Sequence, residues 1–102
     1  MNNLALTEAV YYILLSLIQP MHGYGIIQNV EQLSNGRVRL AAGTLYGAIN
    51  TMLEKGWIMA LPEEEGSRKK EYRITDLGKE ILREELVRLK ELIDNGNRIL
   101  GV

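Results

Sequence analysis

One stretch constrains this chain more than any other: Gly43-Thr44-Leu45-Tyr46-Gly47-Ala48-Ile49-Asn50-Thr51-Met52-Leu53. Leu45, Ile49, Met52 and Leu53 recur at i, i+4, i+7 and i+8, the apolar stripe of a helix laid on a core. The opposite face holds Gly43, Thr44, Gly47, Asn50 and Thr51. A routine solvated face would carry Lys, Glu and Gln, which also favour helix. Glycine at 47, inside a helix, costs about 0.5–1 kcal/mol against alanine. The chain therefore keeps a slim, uncharged face on a helix that it otherwise needs for its core.

The segments around this helix complete a pattern. Leu6, Val10, Ile13, Leu14 and Leu17 stripe a first helix over 4–18. Thr7 and Glu8 suit its first turn, Asn2 or Asn3 its cap, and Pro20 stops it near Gln19. A second helix runs from Met21 or His22 to Leu33 and is expected to bury Tyr24, Ile27 and Val30. Ser34-Asn35-Gly36 ends it, with Gly36 as the left-handed residue. Arg37 to Leu40 alternates and reads as a very short strand or simply as extended chain. Ala41 is a poor cap for the third helix, which leaves its start open between Ala41 and a later one at Thr44.

Lys55-Gly56 closes that helix. Residues 57–61 and 71–74 then read as two strands joined by a polar, glycine-containing loop, a hairpin. Thr75-Asp76 caps a last long helix with Leu82, Leu86, Leu89 and Ile93 at alternating steps of four and three, an a/d seam. This helix is expected to fray near Asn95-Gly96-Asn97. The order is helix, helix, helix, hairpin, helix. It predicts a mainly α fold with a small β-hairpin: a winged helix-turn-helix over 1–75, then a C-terminal dimerisation helix over 76–102. A seam on a lone helix would face water, so a homodimer through Leu82, Leu86, Leu89 and Ile93, helped by Val10 and Leu14, is expected.

Composition excludes several classes. Among 102 residues there is no Cys and a single His, so disulfides and thiolate metal sites are out, as suits a reducing cytoplasm. The N-terminus lacks a basic region, a cleavage site and an unbroken apolar run, so no signal peptide or membrane span is expected. No carboxylate pair and no Gly-rich strand-to-helix loop points to an enzyme, a cofactor or a metal. His22 reads as a structural or capping residue before a ligand or base, and Tyr11, Tyr12 and Met21 as core or interface before an effector cage. Net charge is −1, yet Arg68, Lys69, Lys70 and Arg73 form a compact basic spot beside the acids Glu63, Glu64 and Glu65.

His22-Gly23-Tyr24, Gly43-Thr44-Leu45-Tyr46, Leu53-Glu54-Lys55-Gly56-Trp57-Ile58 and Tyr72-Arg73-Ile74-Thr75-Asp76-Leu77-Gly78 fall in one order and spacing. With them the chain resembles the PadR family of bacterial transcriptional regulators along nearly its whole length. Members often have Ser where this chain has Ala41. The resemblance implies a homodimeric repressor of a double-stranded DNA operator, sometimes released by a small aromatic or lipophilic effector.

On that reading the slim helix lies in the major groove. Thr44, Asn50 and Thr51 can hydrogen-bond base edges, and Gly47 lets the backbone approach. Tyr46 can reach a phosphate, or pack under the wing instead. Arg68, Lys69 and Lys70 at the hairpin tip, with Arg37 and Arg39 ahead of the third helix, can meet the sugar-phosphate backbone. The bland alternatives are a solvated Asn50, a Gly47 set by helix packing and a wing that only aids solubility. At the level of function, the alternative is a winged helix used for protein contacts without DNA.

Overall fold

Residues 5–63 and 69–102 are described by the computed structural model. They form α1 (Glu8–Ser16), β1 (Met21–His22), α2 (Gly23–Leu33), α3 (Ala42–Glu54), β2 (Ile58–Ala60), β3 (Glu71–Ile74) and α4 (Asp76–Leu100). The expected hairpin β2–β3 is present, and β1 joins it to give an antiparallel sheet in the order β1-β3-β2. Met21 pairs with Tyr72, and Ile58 with Ile74. One core collects Ile13, Leu14 and Leu17, then Ile26 and Val30, then Leu45, Ile49 and Met52, and Ile58, Tyr72 and Ile74 from the sheet. Leu82 of α4 closes it.

Local chemistry moved several boundaries. α1 starts at Glu8, later than expected, because Thr7 Oγ1 accepts the Val10 N–H at 3.1 Å and acts as the cap. The expected caps Asn2 and Asn3 lie outside the described residues. At the other end the helix stops at Ser16, and the Leu17 carbonyl accepts from Ile74 N at 2.8 Å, tying α1 to β3. α2 starts at Gly23, since Met21 and His22 pair with β3 instead. His22 Nδ1 caps it by accepting the Gly25 N–H at 3.2 Å. This start turns the stripe: Gly23, Ile26 and Val30 are buried, and Tyr24, expected inside, is 65% exposed.

Both helix-turn-helix partners end on left-handed residues. Asn35 (φ 54°) and Gly36 (φ 80°) follow α2, and the Gly36 N–H reaches the Glu31 carbonyl at 2.8 Å. Buried Ser34 accepts from Val38 N at 2.9 Å, which holds 37–40 extended without a strand partner among the described residues. α3 starts at Ala42 with Ala41 as an N-cap that offers no side-chain bond, which settles its start. Gly56 (φ 76°) ends it, with Gly56 N to Leu53 O at 3.1 Å and Trp57 N to Met52 O at 3.0 Å. Those two bonds are the Schellman pattern.

The next link joins three elements. The Thr75 hydroxyl donates to the Gly56 carbonyl at 2.6 Å, and its N–H to the Trp57 carbonyl at 2.9 Å. The same hydroxyl accepts the Gly78 N–H at 3.1 Å and caps α4. Gly78 must be glycine here. A Cβ would collide with the Trp57 carbonyl oxygen and stand 2.6 Å from Ile74 Cγ1.

α4 does not fray at Asn95-Gly96-Asn97 but runs to Leu100, where Gly101 (φ 78°) ends it. Pairs one turn apart support it, among them Lys90–Asp94 at 2.8 Å and Arg98 to Asn95 at 3.0 Å. Its first turns belong to the body and the rest leaves it: every residue from 90 on is exposed. Glu85 is buried, takes a two-point bond from Arg88 at 2.8 and 2.6 Å, and accepts the Leu6 N–H at 3.3 Å. No described helix is long and apolar enough to cross a membrane.

Two glycines should answer oppositely to alanine. Gly78→Ala is expected to destabilise by roughly 1–3 kcal/mol or more through overpacking. Gly47→Ala, with nothing within 4 Å of the new methyl, should stabilise by about 0.5–1 kcal/mol. Urea denaturation of both measures the contrast. Acid sensitivity follows from Glu85, whose carboxyl is held below its ordinary 4.5 by the Arg88 hydrogen bonds, which outweigh desolvation and are aided by Leu6 N–H. That stability is present above about pH 4.5 and is lost as pH falls through the lowered folded value. Thermal melts of Glu85→Gln should therefore show a lower melting temperature at neutral pH and a shallower decline in acid.

Candidate nucleic-acid interface

The outer face of α3 is open. Gly43, Thr44, Gly47, Asn50 and Thr51 are all exposed. A Cβ at Gly43 or Gly47 would meet nothing within 4 Å, so packing among the described residues does not require glycine at either position. Thr51 Oγ1 donates to the Gly47 carbonyl at 3.2 Å, which leaves its lone pairs outward. Residues 41–44 are exposed and carry no side-chain cap, so the first turn of α3 turns its N–H groups and positive dipole end to solvent.

Tyr46 does not stand free. It rests on α2: a Cβ at Gly23 would strike its hydroxyl and lie 2.9 Å from its Cζ. The Tyr72 hydroxyl in β3 is pushed up first by burial and then by Tyr46. Tyr46 thus sits where α2, α3 and the sheet meet, 44% exposed. This explains the small residue in His22-Gly23-Tyr24: Gly23 is the floor under Tyr46.

The basic residues are placed unevenly. Arg37 pairs with Glu8 of α1, and Arg39 with Glu31 of α2 at 3.8 Å. The Arg37 hydrogen bond holds the Glu8 carboxyl below its ordinary value. Both arginine side chains stay largely exposed, at 61% and 75%. Exposed pairs of this kind contribute little and exchange readily for other partners. Lys69 and Lys70 are exposed just before β3, and Lys70 faces Glu63 across the loop at 3.8 Å. Arg68 lies outside the described residues. No cluster of His, Cys, Asp and Glu suited to a metal occurs among the described residues.

The expected dimer residues divide. Leu14 and Leu82, at 0% and 5% exposed, belong to the protomer's own core and offer no surface to a partner. Val10 and Leu89 are half-buried, whereas Leu86 and Ile93 are 50% and 61% exposed. Leu92, Ile99 and Leu100 add to that exposed apolar surface. Tyr11, Tyr12 and Met21 pack against the core. Sequence reasoning missed Tyr24 as a surface residue. The signal was there, because Gly23, Ile26, Ile27 and Val30 also form an i, i+3, i+4, i+7 stripe.

The model of the PadR-like family of transcriptional regulators matches residues 12–84. The chain belongs to that family. It is therefore a transcriptional regulator by descent, and the family is not one of enzymes. It is 35% identical over 85 residues to an uncharacterized protein of Lysinibacillus sphaericus, covering 78% of each. It also matches a Streptomyces fradiae transposon protein at 38% over 66 residues, 65% of this chain but 18% of that protein's length. Among solved structures, a PadR family regulator of Eggerthella lenta superposes with TM-score 0.73 at 28% identity, over 89% of this chain and 80% of that one. Bacillus subtilis PadR, solved with operator DNA, superposes with TM-score 0.64 at 21% identity, over 78% of this chain and 46% of that one. That last likeness is one of fold.

Proposed function

We propose that this PadR-like chain is a homodimeric, sequence-specific DNA-binding repressor acting in the cytoplasm. One observation carries the reading: α3 keeps two glycines on an open face where no described neighbour needs them. A helix that must approach base edges gains from such a face. Thr44, Asn50 and Thr51 supply donors and acceptors there, and the uncapped first turn suits a phosphate. Tyr46, Arg37, Arg39, Lys69 and Lys70, with Arg68 from the sequence, supply backbone contacts. Support also comes from the operator complex of B. subtilis PadR, which shares the fold.

In this reading residues 1–75 hold the DNA-binding unit and 76–102 the dimerisation helix, with a second copy covering Leu86, Leu89 and Ile93. Two-fold pairing doubles the basic groups facing the duplex. Release by a small aromatic or lipophilic effector extends the reading by family resemblance.

Fluorescence anisotropy on a duplex selected by the wild-type protein tests the DNA interface. Asn50→Ala should weaken binding roughly 5- to 150-fold, the range for deleting one base-specific hydrogen-bonding side chain. Gly47→Leu should abolish binding while the fold stays intact. Lys69→Ala with Lys70→Ala should lower the slope of log affinity against log salt by about 0.9 for each phosphate that is no longer neutralised. Unchanged affinity in all three rejects the α3 face and the basic residues before β3 as the interface, and a wild type that selects no duplex favours a protein-binding winged helix. Sedimentation tests the pairing: Leu86→Glu with Ile93→Glu should give monomers, and a persisting dimer rejects the α4 seam.

A further inference from the structure

Glu85 is the only charged side chain buried among the described residues, at 5% exposed. It lies on α4 near where that helix parts from the body. Arg88 grips both its oxygens, at 2.8 and 2.6 Å, and Oε2 also accepts the Leu6 N–H at 3.3 Å. Leu6 is the residue just ahead of the α1 cap. Leu6 lines a groove of about 310 Å³ together with Ala48, Thr51 and Met52 of α3, and it packs against the core. One residue thus bonds the departing helix through its backbone and shares a groove with α3. Beyond this point no described part of the body steadies α4, since every residue from 90 on is exposed.

The lever makes small errors matter. From Lys90 to Leu100 the helix extends roughly 16 Å at 1.5 Å per residue. A tilt of about 10° at its root moves the tip by about 3 Å, near the 3.4 Å rise of one base pair. In a two-fold pair joined through α4, any such tilt occurs in both subunits.

We infer that Glu85 is a positioning residue: by locking the root of α4 to the start of α1, it fixes the separation of the two recognition helices. It therefore sets the half-site spacing that the dimer accepts. The inference rests on the dimeric DNA-binding reading above and adds a residue that touches neither DNA nor the partner.

The experiment uses the full chain and the duplex that the wild type selects from a random pool. Probes are made with the half-site separation changed by one and two base pairs, alongside a probe carrying a single half-site. Wild type should prefer its own spacing at least tenfold over either neighbour. Glu85→Ala should reduce that preference below threefold while leaving the single half-site affinity and the sedimenting dimer unchanged. Glu85→Gln retains an acceptor for Leu6 N–H but loses the charge that grips Arg88, so it should fall between the two. If Glu85→Ala fails to fold by circular dichroism, Glu85→Gln alone decides, and a wild-type spacing preference in it overturns the inference. Undiminished preference in a folded Glu85→Ala also overturns it. A wild type that is monomeric or ignores every duplex overturns the functional reading itself, and this inference with it.

Discussion

The junction around Thr75 governs how the rest of the molecule is arranged. Its hydroxyl and N–H reach the carbonyls of Gly56 and Trp57, which end α3, and the same hydroxyl caps α4. Recognition helix, sheet and terminal helix therefore meet at one threonine. Glycine at 56 supplies the left-handed turn, and glycine at 78 lets α4 lie directly on the Trp57 carbonyl. Lys55 covers the Trp57 ring, 5.1 Å from its centre, on the solvent side. The Leu53–Ile58 and Tyr72–Gly78 motifs are thus two halves of one joint.

Rigidity at that joint allows α3 to carry a face that would weaken a free helix. Gly47, in its interior, costs about 0.5–1 kcal/mol against alanine. Burial of Leu45, Ile49 and Met52 contributes about 1.5–3 kcal/mol apiece, which outweighs the cost. Helix formation here depends on the core beneath, and the outer surface is left free to serve another purpose. The missing side-chain cap at Ala41 fits the same division, because its N–H groups remain open.

Charge is handled locally. Arg37, Arg39 and Lys70 each face an acid of the same chain, so the sum of −1 says little about what the surface can attract. Buried Glu85 differs in kind. It is held by an arginine and a backbone N–H, and removing it would leave both without their partner. Exposed pairs can trade partners cheaply, and the buried one cannot.

The sequence by itself determined the order of the four helices and the hairpin, though not β1, along with the apolar stripe of α3, its slim outer face and the cap at Thr75. Those features rest on spacings of three and four residues and on single capping side chains, which are local and therefore legible. The family motifs were equally visible, as was a structural or capping role for His22. Only the tertiary structure decided which surface each stripe meets. Tyr24 turned outward because β1 took Met21 and His22 for the sheet, shifting the start of α2. Leu82 went to the protomer's core, though periodicity placed it on a seam, and so did Leu14, which was expected to help the dimer. Nothing in its spacing sets Glu85 apart from the other acids of α4; only the fold brings Leu6, distant in sequence, within hydrogen-bond reach of it. A pairing between strands or a bond across the chain depends on where distant segments meet, and no periodicity of a single segment encodes that.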